Sequence, residues 1–154
     1  MWQRVQTVFL IMVVICMVVC LFLPIGIFND TATGNVHQLY PLHYTVVAGE
    51  QRTTAYFPYV LAAVLMATAA TLAVISITKF ENRIAQVKIG TLNSLVLALV
   101  MVAMVLFFNP LAKQYPGKMG FNLWITFAAV TFNWLALRFI RKDEKMVRDS
   151  DRLR

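Results

Sequence analysis

Charge is scarce in this chain, and it is missing in blocks. Asp, Glu, Lys and Arg make up 14% of the 154 residues, against about 25% in ordinary soluble domains. Stretches 8–27, 59–77 and 89–108 carry no charge at all, and 121–140 carries only Arg138, near its end. Proton pumps and ion-coupled transporters place ionisable side chains near mid-span, and none stands there in this sequence. Cysteine is nearly absent as well. Cys16 and Cys20 both fall inside the first apolar stretch, so no loop thiol is available to meet a partner disulfide, and apolar surroundings quiet a thiol. Inert packing is the expected role of the pair.

What is present is apolar length. A hydrocarbon core of about 30 Å needs ~20 residues at 1.5 Å each, and all four stretches reach that. Four helices apolar on every side would leave a water-soluble chain of this size no polar face. The expectation is one transmembrane domain, an all-α four-helix bundle, with spans at 5–28, 57–79, 88–109 and 121–141, an outer loop at 29–56 and a tail at 142–154. The first stretch is longer than the hydrophobic part of a signal peptide, and no small-residue cleavage site follows it. It is therefore expected to be retained, with Pro24 and Gly26 loosening its last turn.

The basic residues then orient the chain. Arg4, Lys79, Arg83, Lys88, Arg138, Arg141, Lys142, Lys145, Arg148, Arg152 and Arg154 fall on one side, and Arg52, Lys113 and Lys118 on the other. The positive-inside bias puts the first set, and both termini, in the cytoplasm. Tyr56, Tyr59, Phe107, Phe108, Tyr115 and Trp124 are expected as an aromatic belt at the outer interface, with Trp2 and Trp134 at the inner one.

In the outer loop, "HYTVVA" and "TTAYF" flank "GEQR", a hairpin pattern that would need to rest on the helix ends. Helices two and three, joined by "KFENRIAQVK", should be antiparallel neighbours, with Asn82 capping the third. "NP" and "YPG" mark 109–120 as a breaker-rich loop. Beyond Ile140 the last helix should continue as a cytoplasmic extension. Phe139, Met146 and Leu153 recur every seven residues, and Glu144–Arg148, Lys145–Asp149 and Asp149–Arg152 have helical spacing.

Candidate chemistry is thin. His37 and His43 in "HQLYPLHY" are two imidazoles where a zinc site needs three or four protein ligands; no metal, cofactor or catalytic residue is expected. Asn93, Ser94 and Asn133 stand toward the cytoplasmic half, as candidates for interhelical hydrogen bonds. Ala63 with Ala67 and Ala69 with Ala73 would let helix two pack closely as the centre of the bundle. Glu81 is a candidate partner for Arg138 or Arg141.

"MWQRVQTVFL", "FENR" and "NWLALRFIRKDEKMVRDSDRLR" together resemble, over the whole chain, a bacterial family of small four-span inner-membrane proteins known only as a domain of unknown function. The resemblance implies a bacterial inner membrane and this topology, and it carries over no site residue.

Three functional readings follow, in order. The first is a non-catalytic accessory or interaction subunit. Its cytoplasmic docking surface comprises Glu81, Arg83, Arg141, Lys142, Glu144, Lys145, Arg148 and Arg152; its partners are anionic lipid headgroups and a membrane or cytoplasmic protein, and nucleic acid is not expected. The second is a small transporter or lipid-binding protein with a cavity lined by Thr68, Thr71, Asn93, Asn122 and Thr126. The third is a thiol-redox or metal-dependent enzyme.

Overall fold

The computed structural model describes the backbone of residues 5–152 and the side chains of residues 5–146. Four helices form in chain order: α1 (Val5–Phe22), α2 (Val60–Thr78), α3 (Arg83–Gln114) and α4 (Asn122–Arg152). Each is long and apolar enough to cross a membrane. They pack in a ring, α1 between α4 and α2, and α3 between α2 and α4. In α2 the residues buried against its neighbours are Ala62, Ala63, Met66, Ala69, Ala73 and Ser76, a helical stripe of mostly small side chains that admits close backbone approach. Ala67, by contrast, faces outward.

The all-α expectation is corrected by a five-stranded antiparallel sheet on one end of the bundle. Strands β1 (Gly26–Asn29), β2 (Val36–Leu39), β3 (Tyr44–Ala48), β4 (Gln51–Ala55) and β5 (Gly117–Met119) stand in the order β4-β3-β2-β1-β5. The expected hairpin is β3–β4, with Ala48 paired to Gln51 across Gly49 and Glu50. Gly49 has φ 60° while Glu50 stays at negative φ, the backbone of a two-residue turn with glycine first, which suits the twist of paired strands.

The first span is shorter than expected. Pro24 lacks an N–H and disfavours helix at the residue before it, so α1 stops at Phe22 and the chain re-enters as β1. Phe28 turns under the sheet against Phe108, ring centroids 5.1 Å apart. The third helix is longer than expected, beginning at Arg83 and running through Pro110 to Gln114. The loop after it then contributes β5, which pairs with β1 by Gly26↔Met119, Ile27↔Lys118 and Phe28↔Gly117. At Gly120 a Cβ would fall 2.1 Å from the Pro24 carbonyl oxygen, so only glycine lets this strand close on the end of α1.

The sheet shares one core with the helices: Ile25, Phe28 and Leu39 join Cys20, Met104 and Leu111. The six rings expected near the outer interface all lie at this end. Tyr59, Phe107, Phe108 and Tyr115 turn inward to support the sheet. The rings left exposed at this end are Phe22, Tyr56, Phe57, Phe121 and Trp124.

Candidate functional site

The polar chemistry of the molecule gathers at the end remote from the sheet. Asn82 caps α3, its side-chain oxygen accepting from the Ala85 N–H at 3.0 Å, as an N-cap should. One turn on, Gln86 is fully buried and its Nε2 donates to the Ser76 carbonyl at 3.0 Å, fastening α3 to α2. Deeper in, Asn133 of α4 donates to the Gly90 carbonyl at 3.0 Å and to the Ser94 hydroxyl at 2.8 Å. Its oxygen accepts from Asn93 Nδ2 at 3.3 Å. The three polar residues expected to link helices are thus brought together on one α3–α4 seam. Gly90 sits at its closest point, where a Cβ would meet Leu137 at 2.7 Å.

Several buried polar atoms at this end keep no protein partner among the described residues: Gln6 Oε1, Ser76 Oγ, Gln86 Oε1, Asn93 Oδ1 and Arg83 Nη1. Four are oxygens that accept hydrogen bonds, and each unmet one carries a desolvation cost of order 1–3 kcal/mol. Gln6 and Gln86 were not singled out from sequence. They stand at the borders of apolar runs, where a polar residue reads as a helix end, and no periodicity shows that they turn inward.

The residues expected as a docking surface meet at this same end. Glu81 is exposed in the α2–α3 turn, and Arg83 opens α3 half-buried. The antiparallel register that sets Gly90 against Leu137 and Asn93 against Asn133 continues to place Arg83 level with Asp143 and Glu144. Arg141, Lys142 and Lys145 are exposed around that turn of α4, while Glu144 is half-buried. Arg138, expected as a partner for Glu81, lies with its guanidinium carbon 5.6 Å from the Trp134 ring centroid, a cation–π distance. Arg148 and Arg152 lie on the helical backbone, with side chains outside the described residues, so that each of the three tail charge pairs has at least one member there; Trp2, Arg4, Leu153 and Arg154 lie outside altogether.

The side chains expected to line a cavity are dispersed. Thr68 and Thr71 are exposed on the outer face of α2, their hydroxyls donating to the Val64 and Ala67 carbonyls of their own helix at 2.8 Å. Asn122 is buried at the sheet end. Its amide donates to the Cys20 and Leu23 carbonyls at 2.7 and 2.8 Å, so the first residue of α4 satisfies carbonyls that the end of α1 leaves open. Thr126 donates to the Asn122 carbonyl at 3.0 Å and touches the sulfurs of Met104 and Cys20. Cys16 and Cys20 are buried and unbridged.

Under the sheet, His37 and Tyr44 share a 2.5 Å contact between Nδ1 and the phenol oxygen. The imidazole stacks on Tyr115 at 4.2 Å, and Tyr44 leans on Tyr59, which abuts Phe107. Burial, with Tyr115 and Tyr59 adjoining, pushes the Tyr44 phenol up to about 12. His43 stacks on Tyr40 at 5.0 Å. Both imidazoles are engaged by aromatic rings, and among the described residues no three of His, Cys, Asp and Glu gather as a metal-ligand group.

A family model described as Domain of unknown function (DUF4293) matches residues 2–153, in agreement with the whole-chain resemblance. No curated protein matches the chain.

Proposed function

The chain belongs to the DUF4293 family, a domain of unknown function, and from that premise we propose that it is a four-span bacterial inner-membrane protein acting as a non-catalytic accessory or interaction subunit. Both termini are cytoplasmic and the sheet faces outward. The helices favour lipid as their solvent, because their outer faces are as apolar as their inner ones. Val8, Ile11, Ile15, Val18 and Phe22 are exposed on α1; Leu92, Leu95, Leu99, Val102 and Leu106 are exposed on α3. In water such faces would be a large aggregation-prone surface. Among the described side chains, Lys79, Arg83, Lys88, Arg138, Arg141, Lys142 and Lys145 sit at the end remote from the sheet, against Arg52, Lys113 and Lys118 at the sheet end, which supports the remote end as cytoplasmic.

The observation that carries the interaction reading is α4. It runs unbroken from Asn122 to Arg152, 31 residues, or about 46 Å at 1.5 Å per residue. Its register puts Arg83 level with Asp143 and Glu144, so the remaining turns project past the start of α3 as a charged arm. A helix of mixed charge with a narrow apolar stripe suits docking against another helix of complementary charge.

Photo-crosslinking tests this. A benzophenone side chain at Lys145 should give a discrete heavier adduct that disappears when residues 147–154 are deleted, while the same probe at Leu95 labels lipid only. No adduct at Lys145, or adducts only to a second copy of the chain, would count against an accessory role.

A second reading, binding of a small hydrogen-bond donor, draws on the oxygens of Gln6, Ser76, Gln86 and Asn93, which have no partner among the described residues.

A further inference from the structure

At the sheet end the junction of α1, β1, β5 and α4 holds an open groove of about 860 Å³, within the ~300–1,000 Å³ range of small-molecule sites. It comes from the two features hardest to see in the sequence, the early stop of α1 and the short strand β5. Its walls grade from apolar to polar. Leu23, Ile27, Met119 and Phe121 form the apolar part; Asn29, Thr31 and Lys118 supply polar groups. Ile27 and Lys118 are direct cross-strand partners, so their side chains leave the same face of the sheet. That face turns away from the bundle, because Gly26 and Phe28 are the buried residues of β1.

We propose that this groove binds a membrane phospholipid, an acyl chain lying along Leu23, Ile27 and Phe121 and the headgroup phosphate held by Lys118. Three observations converge. The groove opens where Phe121 (78% exposed) and Trp124 (70%) mark the boundary between hydrocarbon and water, the level at which exposed aromatic rings anchor. The single charge among its lining residues is cationic. Asp30 is not among the lining residues; its carboxylate is turned into its own loop, accepting from the Ala32 N–H and the Thr33 hydroxyl. The apolar-to-cationic order is that of a phospholipid, whereas an extended peptide pairing with the free edge of β5 would find only three residues of strand. The proposal rests on the membrane reading of the four helices and is independent of the α4 arm.

The test is photolabelling of the full chain, reconstituted in bilayers containing a phosphatidylglycerol with a diazirine in its acyl chain. Label should concentrate on peptides covering 23–31 and 116–121. It should fall about five-fold in Lys118→Gln, as one lost cation near a headgroup predicts, and almost completely in Ile27→Glu. Lys118 and Ile27 are both exposed, and Lys118→Gln alone decides the matter if Ile27→Glu does not fold. Deleting residues 147–154 should leave the labelling unchanged, which separates this site from the docking arm. Label spread over the four helices in proportion to exposed area, or unaltered by Lys118→Gln, overturns the proposal. So does a polypeptide captured at 117–119 in place of lipid.

Discussion

Asn133 uses its whole amide inside the α3–α4 seam, donating to Gly90 and Ser94 and accepting from Asn93. Replacing it with leucine keeps the branched outline but removes every polar atom, which leaves the Asn93 amide short of its partner. Asn133→Leu is expected to destabilise the bundle by about 1–2 kcal/mol, the upper part of the range for such bonds between membrane helices. The double variant Asn93→Leu/Asn133→Leu should cost less than the sum of the singles, because no amide is then orphaned. Detergent-unfolding titrations of the four forms measure this, and strictly additive losses would contradict the pairing. Asn93, Ser94 and Asn133 were legible as helix-linking residues, since an amide in an apolar run needs a partner. Which amide meets which was not, because helical spacing gives a face and not a neighbour. Asn122 and Thr126 show the same limit: their polarity suggested a cavity, and they instead fasten α4 to the end of α1.

At the scale of elements, the four helices were plain in the sequence because an uncharged run of this length has few alternatives. The strands were not. The hairpin β3–β4 announces itself through β-branched residues around a glycine turn, but β1 and β2 have four residues each and β5 three. Their stability comes from long-range pairing and from Phe28 packed on Phe108, which no local pattern encodes. Pro110 misled in the other direction, since one missing N–H is tolerated within a long apolar helix. The sheet is anchored through Tyr44, whose phenol burial pushes up to about 12 from an ordinary value of 10.0. The folded sheet favours the neutral phenol, so its contribution is complete below the ordinary value and is lost as pH rises from there through about 12. Alkaline titration followed by near-ultraviolet phenolate absorbance should therefore show Tyr44 ionising late, together with loss of β-sheet circular dichroism. In Tyr44→Phe the late step should vanish. A late step that persists in Tyr44→Phe, or none in the native chain, would contradict the buried anchorage.

Taken as a whole, the molecule is polarised. One end carries an ordered sheet, exposed aromatic rings and an amphipathic groove; the other carries most of the positive charge, the linked amides of Gln86, Asn93 and Asn133 and the projecting turns of α4. In the proposed topology those two ends meet the two faces of a membrane, oriented by the positive-inside bias. The assignment is tested most directly by placing single cysteines at Glu50, the tip of the β3–β4 hairpin, and at Lys145, on α4 beyond the bundle, both exposed. A membrane-impermeant maleimide added to intact cells should label Glu50→Cys, whereas Lys145→Cys should react only after the membrane is opened. Labelling of Lys145→Cys in intact cells, or equal labelling of both positions, would contradict a four-span chain with its basic end in the cytoplasm.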